Sequence, residues 1–371
     1  MKRGSTDLAA LANRHIRELQ PYSPGKPIEQ LERELGISDS VKLASNESPL
    51  GPSRRAIEAI FAAAEGLNRY PEDSCPRLRE ALAARHRIPE ESLVFGTGSD
   101  GILELVAKTF LGPGDEAVFP WPSFAMYPIV TRGLGAVPVQ VPLDATYRAD
   151  PEALARAVSE RTRVLFLANP NNPTGTSLGA EEFAALLEVL PERVVVVSDE
   201  AYLEYVRRPD FPDTLALLER RPTLLVLRTF SKVYGLAGLR VGYGIGHPEL
   251  VGLLQRARHP FNVNQLAQVA ALAALEDAEH VTRVRDLTHR GLEQLERGFD
   301  ELGLSYAKSD ANFVLVEVGP DAQGVYERLL RRGVITRPLG GFGLDSHLRI
   351  SVGLPEENRR ALEGLRGELG R

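Results

Sequence analysis

Short apolar runs that end in polar residues restrict the fold of this chain more than any other feature. From about residue 90 to about residue 250 they alternate with helical patterns, which is typical of βαβ units and a mostly parallel sheet. One run, Val194–Val197, consists only of valine, and such continuous apolar character predicts strands that are covered on both faces. The predicted strands are Leu93–Gly96, Ala117–Pro120, Val164–Ala168, Val194–Ser198 and Leu224–Thr229.

The pattern changes after about residue 255, where long helical stretches and the alternating strand Phe313–Val318 predict a second, α+β domain. A chain of 371 residues also exceeds the length that one hydrophobic core usually supports. We therefore predict an α/β fold in three parts. These are a proline-containing N-terminal arm or part of the small domain (residues 1–45), a large domain (46–258) and a small C-terminal domain (259–371).

The composition argues against several classes of function. With 44 Lys and Arg against 50 Asp and Glu, the net charge is −6 and no basic run occurs, so we expect no nucleic-acid partner. Cys75 is the only cysteine, which excludes an intrachain disulfide and a cysteine zinc cluster and fits a reducing compartment. No apolar run reaches ~18 residues, so we expect no membrane span and a cytoplasmic protein.

Polar residues follow four of the predicted strands at their carboxyl ends. They are Thr97–Asp100, Asn169–Gly175, Asp199, and Ser231 with Lys232. Ligands of open α/β sheets bind outside the carboxyl ends of the strands. We therefore expect these groups to converge on one crevice.

Asp199 and Lys232 each have an ordinary interpretation and a functional one. Asp199 follows an apolar strand, where a carboxylate is costly to bury without a partner. It could cap the next helix, or it could be the counter-ion of a buried cation such as a protonated pyridine nitrogen. Lys232 could be a solvated surface charge. Burial and nearby cations would instead lower the pKa of its amine and make it a nucleophile toward an aldehyde.

A glycine-rich segment predicts an anion site in the same crevice. Gly98, Ser99 and Asp100 open a predicted helix, and the free backbone N–H groups and positive end of a helix attract phosphate. Ser231 and Arg240 could bind the same phosphate, Arg240 through both arms of its guanidinium.

Two other interpretations of this segment are open. Thr97 and Asp100 fit a capping box, which would be purely structural. Gly96–Gly101 matches the G-x-G-x-x-G pattern of nicotinamide-dependent oxidoreductases. That fingerprint is incomplete, because Phe119, Pro120 and Trp121 stand where an acidic residue should follow the second strand.

Together these segments resemble the histidinol-phosphate aminotransferases, which are fold-type I enzymes that use pyridoxal 5′-phosphate (PLP). The resemblance spans nearly the whole chain and is more specific for fold and cofactor than for substrate. It implies a mostly parallel central sheet with helices on both faces, a smaller α+β domain and an N-terminal arm. One departure is Val233, where relatives commonly carry a small residue. The matching segments are Pro21–Pro27, Leu43–Pro52, Arg69–Pro71, Asn172–Gly175, Asp199–Tyr202, Thr229–Arg240 and Leu348–Gly353.

The resemblance implies a role for each matching residue. Lys232 would form the Schiff base and then shuttle the proton, and Asp199 would pair with the pyridine nitrogen. Asn172 and Tyr202 would hydrogen-bond the 3-oxygen of the ring, and Tyr202 is counted with the catalytic residues. Phe124 would stack on the ring, although it also suits a plain core position.

The remaining implied roles concern anions. The predicted ligands of the cofactor phosphate are Gly98, Ser99, Asp100, Ser231, Arg240 and, from the neighbouring subunit, Tyr70. Arg349 would bind the anionic group of the substrate, assisted by Tyr22, Asn172 and Arg337. Arg337 could equally be a surface charge.

The implied reaction is the transamination of L-histidinol phosphate with 2-oxoglutarate to imidazole-acetol phosphate and L-glutamate, a step of histidine biosynthesis. Two alternatives would use nearly the same residues: transamination of aromatic amino acids, and decarboxylation of threonine phosphate. Arg337 and Arg349 together favour a phosphorylated substrate, because a phosphate dianion needs more cationic contact than a carboxylate. A homodimer is expected, since Tyr70 and the arm make sense only beside a second subunit.

Overall fold

The computed structural model describes residues 7–370, which form helices on both sides of a large sheet and around smaller ones. The helices are α1 Leu8–Leu11, α2 Arg14–Arg17, α3 Ile28–Leu35, α4 Arg54–Ala63, α5 Pro76–His86, α6 Gly98–Phe110, α7 Met126–Gly133, α8 Pro151–Arg156, α9 Ala180–Val189, α10 Pro248–Ala257, α11 Gln265–Leu275, α12 Ala278–Glu301, α13 Ala322–Arg331 and α14 Pro355–Leu369. The strands are β1 Val41–Lys42, β2 Leu93–Gly96, β3 Glu116–Trp121, β4 Val137–Pro142, β5 Thr162–Ala168, β6 Val195–Asp199, β7 Leu224–Thr229, β8 Gly242–Gly246, β9 Phe313–Glu317, β10 Val334–Ile335, β11 Arg337–Leu339 and β12 Leu344–Ser351.

The central sheet has seven strands in the order β2-β8-β7-β6-β5-β3-β4. The pairs β4–β3, β3–β5, β5–β6 and β6–β7 are parallel, whereas β8 runs antiparallel to both of its neighbours, β7 and β2. The mostly parallel sheet predicted from the sequence is therefore confirmed. Its parallel strands place their carboxyl ends, and the polar residues that follow them, along one edge.

Both faces of this sheet are buried, as the all-valine run predicts. Along β6, Val196 belongs to the core cluster on one face, whereas Val195 and Val197 belong to the cluster on the other. Val196 and Val197 are fully buried. Burying a valine or leucine side chain in this way contributes about 1.5–3 kcal/mol, so the central strands are held by packing on both sides.

Two strands of this sheet were missed by the sequence analysis. β4 is an edge strand whose residues are mostly half-buried or exposed. It contains two prolines, which an edge strand tolerates but which obscure the strand pattern in the sequence. β8 contains three glycines. A Cβ at Gly242 would lie 2.6 Å from the backbone nitrogen of Ser99, and one at Gly244 would lie 2.9 Å from Val94 Cγ1. Close packing across the strand therefore requires glycine, and this need is invisible in the local sequence.

The C-terminal part contains a three-stranded antiparallel sheet, β11-β12-β9, with α12, α13 and α14 nearby. The predicted strand Phe313–Val318 corresponds to β9. The predicted domain boundary near residue 258 stays a prediction. Ala267 and Ala270 of α11, which lies beyond that boundary, are buried in the same core cluster as Val196 and Val226 of the large sheet. This packing favours a boundary after α11.

The N-terminal region divides into two parts with different packing. No side chain between residues 7 and 27 is buried, which suits an arm. From α3 onward the chain joins the C-terminal part, because Leu31 packs with Ala44 and Ile335, and β1 pairs with β10. Residues 1–6 of the predicted arm lie outside the described residues. None of the helices within residues 7–370 combines the length and apolar character that a membrane crossing requires.

Candidate active site

A cavity of about 320 Å³ lies at the carboxyl edge of the central sheet. Its volume is in the range of small-molecule sites. Twelve of the fourteen predicted site residues line it, so the expected convergence on one crevice is observed. These twelve are Tyr22, Ser99, Asp100, Phe124, Asn172, Asp199, Tyr202, Ser231, Lys232, Arg240, Arg337 and Arg349. The other two, Gly98 and Tyr70, do not line it.

Lys232 lies three residues beyond the end of β7 and is partly buried where it borders the cavity. Its Nζ is 5.6 Å from the ring centroid of Tyr202. Burial lowers the pKa of this amine to about 8, and the positive charge of Arg349 acts in the same direction. The fold therefore raises the fraction of neutral, nucleophilic amine near neutral pH, which contradicts the interpretation of Lys232 as an ordinary surface charge.

Asp199 ends β6 and is only 4% exposed. Its Oδ2 accepts a hydrogen bond from the Tyr127 hydroxyl at 3.0 Å, and its Oδ1 accepts one from the backbone N–H of Ala201 at 3.3 Å. Burial raises the pKa of the carboxyl group to about 6, although the hydrogen bond from Tyr127 lowers it. The helix-cap alternative is wrong, because the next helical turn, Leu203–Tyr205, has Tyr202 at its N-cap position.

The predicted anion site forms where α6 begins. Arg240 donates a hydrogen bond from Nη2 to Asp100 Oδ2 at 3.1 Å and one from Nη1 to Ser231 Oγ at 3.4 Å. Gly98 does not line the cavity itself. It has a φ of +74°, and a Cβ there would lie 2.5 Å from Arg240 Nη2. Glycine therefore lets the guanidinium approach the N-terminus of the helix, where free N–H groups and the helix dipole favour an anion.

The capping-box interpretation of this segment is wrong. Thr97 occupies the N-cap position of α6 but makes no side-chain capping hydrogen bond. Asp100 turns its carboxylate to Arg240 instead. Burial raises the pKa of Asp100 and the charge of Arg240 lowers it.

Two arginines face the cavity from the smaller antiparallel sheet. Arg337 of β11 and Arg349 of β12 are directly opposite in register. Arg349 is only 8% exposed and donates hydrogen bonds to Asn172 Oδ1 and to the backbone oxygen of Ala44. Its Nε is buried, and no hydrogen-bond partner for it occurs within residues 7–370. Arg349 also lines the cavity, so its positive charge lies beside any anionic ligand bound there.

Arg337 is fixed from the N-terminal side. Its Nη2 donates to the backbone oxygen of Ser23 at 2.7 Å, and its guanidinium carbon lies 5.9 Å from the ring centroid of Tyr22. Because Arg337 lines the cavity and is partly buried, its interpretation as a surface charge is not supported. The segment around Tyr22 closes one side of the site.

Tyr202 and Phe124 form aromatic walls of the cavity. Tyr202 is buried, and its hydroxyl accepts a hydrogen bond from Asn46 Nδ2 at 3.0 Å. Burial raises the pKa of this phenol to about 12, so the phenol is protonated at neutral pH. Phe124 is partly buried and meets the Tyr127 ring edge-on at 5.8 Å. It thus borders both the cavity and the core.

Three residues of the site, Tyr127, Asn46 and Glu47, were not predicted from the sequence. Tyr127 is fully buried in α7, three residues after Phe124, and reaches Asp199 from below the cavity. Tyr127 lies neither at the end of a predicted strand nor in a segment that matches the family, so no local signal marked it. Asn46 and Glu47 also line the cavity. They belong to the segment Leu43–Pro52, which resembles the family but for which no site role was predicted.

Tyr70 lies outside the cavity of its own chain. It is 82% exposed and stacks on Phe261 with ring centroids 4.7 Å apart. Val233, the departure noted above, is fully buried in the main core cluster. The larger side chain is therefore accommodated beside Lys232.

These groups fit PLP. Asp199 offers a buried carboxylate to a pyridinium nitrogen, and Lys232 offers a partly neutral amine to an aldehyde. The cradle of Gly98, Ser231 and Arg240, which a Cβ at position 98 would fill, suits a phosphate.

Comparisons with known proteins decide the family. A family described as aminotransferase class I and II matches residues 38–365. The chain is 49% identical over 369 residues to histidinol-phosphate aminotransferase 2 of Pseudomonas fluorescens, covering 99% of this chain and 100% of that protein. The chain belongs to the histidinol-phosphate aminotransferase family. It is also 48% identical over 355 residues to the Symbiobacterium thermophilum enzyme of that name, covering 96% and 98%.

Solved structures agree with membership of this family. The chain resembles the Sinorhizobium meliloti histidinol-phosphate aminotransferase in complex with PLP, with a TM-score of 0.90, 30% identity and 97% of each chain covered. It also resembles a mutant of the Thermus thermophilus aspartate aminotransferase, with a TM-score of 0.82, 29% identity and coverage of 95% and 98%. As a member of the family this chain is a PLP-dependent aminotransferase of fold type I, as predicted. The oxidoreductase interpretation of Gly96–Gly101 is wrong.

Proposed function

We propose that this aminotransferase transfers the amino group of L-histidinol phosphate to 2-oxoglutarate, giving imidazole-acetol phosphate and L-glutamate. The observation that carries the proposal is the pair Arg337 and Arg349, opposite in register and lining the cavity that contains Lys232. Two cations suit a phosphate dianion better than a single carboxylate. Relatives with 48–49% identity bear the name of this activity.

The chain's own residues divide the work. PLP, when bound, supplies an aldehyde that condenses with amines and a ring that withdraws electrons from the substrate Cα. Asp199 would keep the pyridine nitrogen protonated, and the Tyr202 hydroxyl and Asn172 would orient the ring through its 3-oxygen. With a pKa near 8, about one-tenth of the free Lys232 amine would be neutral at pH 7. Once the substrate has displaced it, this amine would accept the Cα proton.

The substrate phosphate would be held by Arg349, with Arg337, Tyr22 and Asn172 around it. Arg349 is preorganised, because two of its nitrogens already donate to protein oxygens and hold the guanidinium beside the cavity. A fixed, buried guanidinium loses little entropy when it binds an anion. The amino-bearing carbon of the substrate would then lie between the anion site and Lys232.

The proposed function can be tested by a spectral titration of purified PLP-loaded protein. Histidinol phosphate should convert the absorption of the bound cofactor to that of the amine form, and 2-oxoglutarate should restore it. Phenylalanine, tyrosine and threonine phosphate in the same assay represent the two alternative reactions. Equal responses to all four donors would contradict the assignment. Lys232→Ala should abolish turnover while circular dichroism stays unchanged, and near-native turnover would refute the role of Lys232.

We further propose a homodimer in which Tyr70 reaches the cofactor phosphate of the neighbouring site. The support is that large apolar side chains around Tyr70 are exposed to solvent. Phe61 and Leu67, which are near it in the sequence, are 74% and 53% exposed, and Phe261, which stacks on it, is 42% exposed. Light scattering should give roughly twice the chain mass of 40.6 kDa. Tyr70→Phe should weaken PLP binding, whereas a monomer with full activity would exclude this role. A cytoplasmic location likewise remains a prediction.

A further inference from the structure

The cavity contains a carboxylate that the proposed mechanism does not use. Three carboxylates from the described part of the chain line it: Glu47, Asp100 and Asp199. Asp199 is bonded to Tyr127 and faces the pyridine position, and Asp100 is paired with Arg240 at the anion cradle. Glu47 remains without a role.

The Glu47 side chain is held in place and still has a free acceptor. Its Oε1 accepts a hydrogen bond from Lys42 Nζ at 2.9 Å, and its side chain is 47% exposed. Within residues 7–370 no hydrogen bond to its Oε2 occurs. Lys42 is less exposed, at 21%, and is anchored on β1. Glu47 also borders the neighbouring groove in which Lys42 lies, so the lysine fixes one carboxylate oxygen at the junction of this groove and the cavity. The other oxygen can accept a hydrogen bond from a ligand in the cavity.

The backbone next to Glu47 is also fixed. Asn46 has a φ of +54°, in the left-handed region that asparagine tolerates better than most residues. Its side chain accepts from Ser351 Oγ at 2.8 Å and donates to the Tyr202 hydroxyl at 3.0 Å. These contacts tie the turn to both β12 and the aromatic wall of the cavity. The charge of Glu47 reaches the catalytic amine, because it raises the pKa of Lys232.

The other charged groups on the substrate side cannot serve as acceptors. Lys232, Arg337 and Arg349 carry only N–H donors when protonated. An imidazole ring needs an acceptor for its N–H, and when protonated it also needs a negative charge nearby. A carboxylate meets both needs, and free imidazole side chains titrate near pH 6.5.

From this arrangement we infer that Glu47 determines the specificity for the amino donor by accepting a hydrogen bond from the imidazole ring. The inference rests on the proposed function, since it assigns the part of histidinol phosphate that the arginines do not bind. Glutamate and 2-oxoglutarate have a carboxylate in place of this ring and gain nothing from Glu47. The residue therefore acts on one of the two half-reactions.

The test compares histidinol phosphate with alaninol phosphate, an amino-alcohol phosphate that has a methyl group in place of the imidazolylmethyl group. The measured quantity is the ratio of kcat/KM for the two donors, in which any change at Lys232 or the cofactor cancels. Glu47→Leu should lower this ratio roughly tenfold or more, the loss expected for a charge-assisted hydrogen bond. Glu47→Gln, which keeps an acceptor, should fall between Glu47→Leu and the wild type.

The matched control is Glu29→Leu, because Glu29 is exposed in the first turn of α3 and, unlike Glu47, lines the neighbouring groove without lining the cavity. It should leave the donor ratio unchanged. The KM for glutamate should not rise in any variant, because removing a negative charge does not weaken the binding of a carboxylate. If the wild type converts histidinol phosphate but Glu47→Leu retains the wild-type ratio, the inference about Glu47 is wrong and the proposed function stands. If the wild type does not convert histidinol phosphate, both fail.

Discussion

Replacing Tyr127 by phenylalanine should make cofactor binding more strongly dependent on pH, between pH 6 and 9, than it is in the wild type. The substitution removes one oxygen atom, which donates the 3.0 Å hydrogen bond to Asp199 Oδ2. Both side chains are buried, so water cannot easily replace the lost donor. The carboxylate form of Asp199, which a pyridinium nitrogen requires, is thereby destabilised.

The magnitude follows from the geometry and the pKa of Asp199. A hydrogen bond to a charged group is worth about 1.5–3 kcal/mol, and one pKa unit corresponds to about 1.36 kcal/mol. The pKa of Asp199, raised by burial to about 6, should therefore rise by a further ~1–2 units, to roughly 7–8. Wild-type Asp199 is about half ionised at pH 6, whereas in the variant only about 1–10% would be. Ring affinity should thus fall about 5- to 50-fold at pH 6 and be nearly unchanged at pH 9.

The assay measures the dissociation constant of pyridoxamine 5′-phosphate between pH 6 and 9 by calorimetry. This amine form has the same ring and phosphate but forms no covalent bond with Lys232, so titration of the lysine does not enter directly. Tyr205→Phe is the matched control. Tyr205 is also fully buried, but its hydroxyl has no hydrogen-bond partner among the described residues. A constant ratio of variant to wild-type affinity across this pH range, or the same change in Tyr205→Phe, would refute the reasoning.

Three further predictions follow from single contacts. Covalent attachment of PLP, followed by absorbance, should speed up with rising pH around a midpoint near 8, because only neutral Lys232 reacts. Arg349→Gln should move that midpoint upward by removing a charge that lowers this pKa, and a downward shift would contradict this cause. Gly98→Ala should raise the dissociation constant for PLP about tenfold or more while circular dichroism stays normal. The reason is that φ at this position is +74° and the new Cβ would displace the Arg240 guanidinium. Unchanged affinity would argue against the phosphate cradle. Arg228→Met should destabilise the fold by about 3–5 kcal/mol in urea unfolding by leaving buried Glu200 unpaired, and adding Glu200→Gln should recover part of the loss. If Arg228→Met alone were as stable as the wild type, the expected destabilisation would be contradicted.

The carboxyl-end pattern allowed most of the site to be predicted. Asp199 ends β6, and Ser231 with Lys232 follows β7. The sequence predicted the bounds of both strands to within one residue. This worked because a buried strand is a continuous apolar run, and a polar residue at its end is conspicuous. The glycines of β8 show the opposite case, since their reason lies in Ser99 and Val94, far away in the chain.

Local sequence thus determined the strands, the edge at which they end and the chemical types that meet there, since each depends on residues a few positions apart. Only the tertiary structure decided which groups touch. Asn46 is bonded to Ser351 across 305 positions, and Tyr127 to Asp199 across 72. Contacts between such distant residues depend on how strands and helices pack, and no local pattern encodes that packing. The supports of the site, Tyr127 and Asn46, and the unassigned carboxylate of Glu47 were therefore found only in the folded chain.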